Sequence, residues 1–401
     1  MKRHQSLLRL VSVVLLIIFA ANLALAQDNS DAEARVAQYT QAIEADSTDV
    51  NAYIDRGNAY YDLAMYEEAL ADYQQALVLD PRNADAYYNV GLAYNKLGEF
   101  EKAIANYSTV VMLTPDDAEA YNNRGMAYYD LGAYVQSIID FEKAIELDPE
   151  YIDAYINRGL SYHDSGDYES AIVDYEKAME LDPQDAISYY NRGLAYYDLG
   201  YEELAMKDYN KAIELDPEYA LAYNNRGIIY RNQGDYDNAI ADYSKALELD
   251  PQDVLAYSNR GNAYSDLEEY DSALADYNQA IAIDPGYALA YNNRAIVYYD
   301  LSEYEQAIAD YDTAIGLGYV IAYRNRGLTY EAMNDYESAI ADYTQAIEQG
   351  RTEVYADRGV ANTLAGNYKE AISDFSTYED ITGQALPDWA VDYREQAKAG
   401  K

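Results

Sequence analysis

The sequence predicts an all-α solenoid built from helix-turn-helix repeats, and three observations carry the prediction. Proline recurs at 81, 115, 149, 183, 217, 251 and 285, a constant step of 34. Glycine recurs at 57, 91, 125, 159, 193, 227 and 261 with the same step, and Ala295, Gly327 and Gly359 continue the register. Within each period, apolar and small residues recur at helical spacing in two blocks separated by a turn. A fixed period of this length means stacked supersecondary units, each too small to bury its apolar face alone.

The first 26 residues read as an address. Lys2, Arg3 and Arg9 flank an apolar run from Leu10 to Ala20, and Ala24-Leu25-Ala26 supplies a small-residue cleavage site before polar Gln27. This is the pattern of a secretory signal peptide, and it places the mature chain in the periplasm or outside the cell. The alternative is an uncleaved N-terminal anchor, because the apolar run approaches membrane-spanning length. The next segment, 27–49, contains Tyr39 and Ala42 in repeat register and is expected to be a lone second helix capping the array.

Ten units follow: 50–83, 84–117, 118–151, 152–185, 186–219, 220–253, 254–287, 288–319, 320–351 and 352–385. Numbering slots from the first residue of each, Tyr fills slot 4 in all ten copies, slot 11 in nine, and slots 17 and 24 in eight each. Those slots hold 35 of the 49 tyrosines, so the tyrosine excess is mostly core packing repeated. Leu131-Gly132 breaks the first helix of unit 118–151, and Asp148-Pro149 stops the second. Small Gly125 and Ser137, at slots 8 and 20, let the two helices approach. Gly316-Leu317-Gly318 and Gln349-Gly350-Arg351 shorten two turns by two residues each. Residues 386–401, with the only Trp (Trp389), are expected to form a capping helix and tail.

The unit Tyr189-x2-Arg192-Gly193-x2-Tyr196, then Ala205-x3-Tyr209 and Pro217, resembles the tetratricopeptide repeat (TPR) family, over about 50–385. The resemblance implies antiparallel helix pairs stacked into a right-handed superhelix, with first helices lining a concave groove that meets protein ligands. One departure stands out. Slot 7, usually Leu in the family, is Arg56, Arg124, Arg158, Arg192, Arg226, Arg260, Arg294, Arg326 and Arg358. Slot 23 is Asp in the same units: Asp72, Asp140, Asp174, Asp208, Asp242, Asp276, Asp310, Asp342 and Asp374. Unit 84–117 loses both charges together, with Val90 and Asn106. The coupling predicts a structural Arg–carboxylate bridge inside each unit; the competing reading has Arg reach a ligand carboxylate.

The groove face offers candidates for binding. Slot 6 is Asn in eight consecutive units: Asn89, Asn123, Asn157, Asn191, Asn225, Asn259, Asn293 and Asn325. A ladder of amides can pair with the backbone of an extended peptide, as such residues do in peptide-binding family members; alternatively it stabilises the helix pairs. Slot 9 is mostly apolar, including Leu160, Leu194 and Ile228. Slot 2 turns from polar (Asn51, Asp85, Glu119, Asp153) to apolar (Ile187, Leu221, Leu255, Leu289, Ile321). Either these rows form an exposed strip or they are buried between adjacent first helices. Asp62, Asp130, Asp164, Asp198, Asp266 and Asp300 at slot 13 form an acidic lane suited to a basic or amphipathic polypeptide, or simply a solvated face. Lys96, Arg231 and Arg324 are too scattered to clamp a C-terminal carboxylate.

Composition narrows the classes further. A formal net charge of −43, from 28 Lys and Arg against 71 Asp and Glu, argues against nucleic acid as a partner. With no Cys, and only His163 left after export, the usual metal and nucleophile sets are missing. Neither G-x-x-x-x-G-K-[ST] nor G-x-G-x-x-G occurs, so no cofactor is expected. The sequence therefore reads as a non-enzymatic, exported interaction scaffold; the alternative is an envelope assembly protein acting through its convex surface or by self-association.

Overall fold

The computed structural model describes residues 29–400; the segment 1–26, read from its sequence as a signal peptide, lies outside them. Helix α1 occupies residues 29–45. Four helix pairs follow: α2 (Val50–Asp62) with α3 (Tyr66–Leu79), α4 (Ala84–Lys96) with α5 (Phe100–Leu113), α6 (Ala118–Asp130) with α7 (Tyr134–Leu147), and α8 (Ile152–Asp164) with α9 (Tyr168–Leu181). Then come α10 (Ala186–Asp198), α11 (Glu202–Leu215), α12 (Ala220–Asn232), α13 (Tyr236–Leu249), α14 (Val254–Asp266) and α15 (Tyr270–Ile283). The chain closes with α16 (Ala288–Asp300), α17 (Tyr304–Gly316), α18 (Ile321–Ala332), α19 (Tyr336–Glu348), α20 (Tyr355–Leu364), α21 (Tyr368–Thr382) and α22 (Asp388–Ala399). The described residues contain no strand. Two compact halves divide the chain between Asp208 and Tyr209, inside α11.

Each pair forms because one aromatic ring fills the space one missing side chain leaves. The slot 24 ring is fully buried in every unit, as Tyr175 and Phe141 illustrate. In nine units it packs where slot 8, a glycine, has no side chain, Ala295 being the exception: a Cβ on Gly159 would lie 2.6 Å from Tyr175 Cε1, and one on Gly125 2.7 Å from Phe141 Cε1. Alanines at neighbouring slots, such as Ala154, Ala171 and Ala178, are completely buried and bring the helices together.

The turns are equally repetitive. Slot 15, between paired helices, takes a left-handed conformation in all ten units, with φ +70° at Gly132 and +57° at Ala64. Glycine adopts it without a Cβ penalty, whereas Ala64, Glu268 and Ser302 bear that strain. The Asp of each Asp-Pro pair accepts from a backbone N–H two residues on, as Asp148 does from Glu150 at 3.0 Å. Asp49, Asn83, Asp117, Asp185 and Asp253 then cap the next first helix by accepting from its first turn. In the two shortened turns, Gly318 and Gly350 take φ +90° and fold the chain back with fewer residues.

At the ends, α1 lies against the first repeat, where Arg35 pairs with Asp62 at 2.7 Å. Helix α22 covers the last repeat with Ala390 and Ala397, while Leu386 fills the same cluster. Trp389 stays outside that core, 50% exposed.

Candidate interaction faces of the repeats

The nine arginines of slot 7 all make the same two bonds. In each, Nε donates to one aspartate oxygen and Nη2 to the other, at 2.6–3.0 Å. The aspartates are buried, Asp208 to 2% exposure. In eight units Nη1 turns to the second helix of the preceding repeat: to Thr40, Ser108, Glu176, Asn210, Ser244, Asn278, Asp312 and Thr344. Each guanidinium also lies against the slot 4 ring, and in five units against the slot 11 ring as well, as Arg192 does between Tyr189 and Tyr196. So placed, the arginines bind their own fold and present no bidentate edge to a ligand. In unit 84–117, Val90 is 3% exposed in an apolar cluster, and Asn106 turns its amide to the Lys102 carbonyl.

The asparagine ladder joins consecutive first helices. Asn157 donates to Asn122 at 3.0 Å, Asn259 to Asn224 at 3.1 Å and Asn325 to Asn292 at 2.9 Å. Asn89 and Asn293 donate to the slot 9 amides Asn58 and Asn262, and Asn123 donates to the Tyr88 hydroxyl. Asn191 is buried. Six amide donors are thus engaged within the fold, which leaves the ladder little to offer a peptide backbone.

The apolar rows differ in exposure. Slot 9 residues Leu160, Leu194 and Ile228 are half-buried between helices. Slot 2 is open: Leu221 is 50% exposed, Leu255 55% and Ile321 36%, with Leu289 half-buried. These four stand at one register on α12, α14, α16 and α18, whose successive members touch. Further along the same first helices, Arg231, Asn262, Asp266, Asn293 and Ile296 line a dent of about 290 Å³.

The acidic lane is partly engaged within the fold, by contacts the sequence reading missed. Slot 12 of one unit reaches slot 13 of the next: Tyr129 donates to Asp164 at 2.5 Å, His163 Nε2 lies 2.8 Å from Asp198, and Arg231 pairs with Asp266 at 2.7 Å. Burial pushes the Asp130 carboxyl up, and burial with nearby Glu268 does the same at Asp300. Arg324, read as a scattered cation, makes a bidentate pair with Asp357 at 2.8 and 3.0 Å. Among the described residues, no cluster of His, Asp and Glu is placed to hold a metal ion, and no helix is long and apolar enough to cross a membrane.

Glu331, at slot 12 of the same unit, is the most perturbed carboxyl. Burial pushes it up to about 7, against a weaker opposing effect of Tyr343. Its Oε1 and the Tyr343 hydroxyl are buried without completing an aligned hydrogen bond, although the two groups interact electrostatically. The folded chain keeps a proton that the unfolded chain releases above its ordinary value of 4.5. Stability from this group is therefore present at low pH and lost as pH rises from 4.5 towards 7. Glu331→Gln should raise stability by about 1–2 kcal/mol at pH 8, after allowance for partial solvent screening, and by nearly nothing at pH 4. Urea midpoints of both proteins across that range measure the difference, and a pH-independent offset would contradict the assignment.

Known proteins place the fold. The TPR repeat profile matches residues 65–98, 91–132, 159–200 and 202–234. The tetratricopeptide repeat profile matches 118–151, 220–253, 254–287, 288–317 and 320–350, and a second one 141–173. Among solved structures, an IFIT1 variant is 17% identical with TM-score 0.55, the match covering 93% of this chain and 95% of that one. The APC/C hetero-tetramer Cut9-Hcn1 gives 16% identity, TM-score 0.51 and coverage of 93% and 95%. MamA is 30% identical over 43% of this chain and 93% of its own, with TM-score 0.40. No curated protein matches the chain. A 34-residue period, a ring packed on a glycine in nearly every copy, and profile matches from 65 to 350 converge: the chain belongs to the tetratricopeptide repeat family, whose helix pairs serve as protein-interaction scaffolds.

Proposed function

We propose that the protein is an exported, non-enzymatic scaffold that holds a polypeptide segment against the first-helix face of its C-terminal half. The observation that carries this reading is the row Leu221, Leu255, Leu289 and Ile321, apolar side chains exposed or, at Leu289, half-exposed at one register on touching helices. A row of this kind suits the apolar face of an amphipathic segment, and the dent at Ile296, further along the same helices, suits an anchoring side chain. The surplus of carboxylates favours a partner with basic residues on its other face. The signal-peptide pattern supports a periplasmic or extracellular place of action, with retention by an uncleaved segment as the alternative.

A second reading has its own support. The second helices of the N-terminal half expose Met112 at 73%, Val135 at 68%, Val173 at 63% and Ile139 at 57%, the last two at one slot of adjacent repeats. Such a patch suits self-association. Leu221→Asp with Leu255→Asp should abolish capture of a crosslinked envelope partner while the melting temperature stays unchanged, and Ile139→Lys with Val173→Lys should leave capture intact. Full capture by the Leu variant removes the first reading. Concentration-dependent mass that the Ile139 and Val173 changes eliminate establishes the second.

A further inference from the structure

The tenth repeat differs from the other nine at two positions that meet in one cavity. Slot 11 is Tyr in units one to nine but Asn362 here. Slot 18 is Glu or Asp in eight units and Val135 in another, but Lys369 here. Both residues line a cavity of about 430 Å³ together with Arg358, Thr344, Ser373 and Ile340. It lies among α19, α20 and α21, away from the slot 2 row.

In five other repeats the slot 11 ring lies over the arginine. Tyr60, Tyr162, Tyr196, Tyr230 and Tyr330 sit 5.6–6.0 Å from their guanidinium, in addition to the slot 4 ring. Arg358 keeps only Tyr355, at 5.3 Å. Its edges remain occupied by Asp374 and Thr344, so what lies open is the flat face of the cation. Asn362 does not refill the space, because it is buried and donates to Asp374 at 2.9 Å. Lys369 is exposed at the cavity and takes part in no ion pair among the described residues.

We propose that this cavity binds a planar aromatic ring carrying a carboxylate. The ring takes the place of the absent tyrosine on the Arg358 face, where a cation held in a partly dry site attracts a π system. The carboxylate approaches Lys369; of the two acids that also line the cavity, Asp374 is already paired with Arg358, and Glu370 is the one it must avoid. The volume falls within the range of small-molecule sites. A free aromatic acid and a C-terminal tyrosine share this chemistry.

Titration calorimetry of the full chain with 4-hydroxyphenylacetate and with the dipeptide Ala-Tyr tests the proposal. At least one should bind, and the tighter of the two identifies the source. Cyclohexylacetate, which has the charge without the π face, should bind about tenfold more weakly or worse. Asn362→Tyr should abolish binding without lowering the melting temperature, because it restores the ring the other nine repeats carry. Lys369→Glu should weaken binding about tenfold or more. The proposal is overturned if neither aromatic acid binds at about 10 mM, if cyclohexylacetate binds equally well, or if Asn362→Tyr binds as the parent does. Leu221→Asp with Leu255→Asp should leave binding unchanged, so this site and the slot 2 row stand or fall separately.

Discussion

Arg158→Leu should destabilise the protein by about 3–5 kcal/mol, and Arg158→Leu with Asp174→Leu should recover most of that loss. The asymmetry comes from what each change leaves behind. Asp174 is 3% exposed; burial pushes its carboxyl up, and Arg158, bonded at 2.7 and 2.8 Å, opposes that shift. Removing the arginine alone strands a buried carboxylate that must protonate or draw in water. Removing both replaces a desolvated pair with apolar volume, which is often nearly neutral. The chain contains its own precedent in Val90 and Asn106, where both charges are missing and the repeat still packs. Urea denaturation of the two variants decides the matter; equal losses would show that the pair does not act as one.

Tyr175→Ala should cost about 3–5 kcal/mol, while Tyr175→Phe should be neutral or gain up to about 1 kcal/mol. The ring is fully buried against Gly159, so truncation opens a cavity that rigid helix backbones cannot close. The hydroxyl contributes nothing comparable, being buried without a hydrogen-bond partner, and Phe141 and Phe375 occupy the same slot in other repeats. Tyr73 and Tyr277 supply the contrast. They donate to Asn58 at 2.9 Å and Asn262 at 2.7 Å, and Phe in their place should lose about 1 kcal/mol. Because repeats couple mainly to their neighbours, amide exchange in Tyr175→Ala should quicken first within 152–185. Uniform acceleration along the chain would contradict that.

The repeats were legible in the sequence because one packing solution is written ten times: a ring at slot 24, a glycine at slot 8, and breakers at fixed offsets. Comparing copies also brought out the Arg and Asp positions, since Val90 and Asn106 depart together. Contacts between repeats were harder to read. Tyr129 with Asp164, His163 with Asp198 and Arg231 with Asp266 share a pair of slots but no residue type at the first of them, so no coupled change marks the contact. Arg324 and Asp357 were obscured because the shortened turn sets them 33 residues apart. The asparagine ladder was visible as a pattern, but the direction of an amide depends on whether the neighbouring helix offers an acceptor such as Asn122 or Tyr88. Exposure at slot 2 was a property of helix rotation, which alternation along one helix does not determine.

The third nitrogen of eight of the nine guanidiniums has a mechanical consequence. By reaching Ser108 or Ser244 in the preceding repeat, an arginine ties two successive second helices as well as its own pair. Val90 cannot reach across, so the joint between repeats 50–83 and 84–117 lacks this tie and relies on apolar contact and on Asn89 with Asn58. A chain pulled from its ends, or strained by a bulky partner, would part there before it parts at a tied joint. The N-terminal cap and first repeat would then behave as a detachable lid, its closure set by apolar contact and by the single amide pair of Asn89 and Asn58.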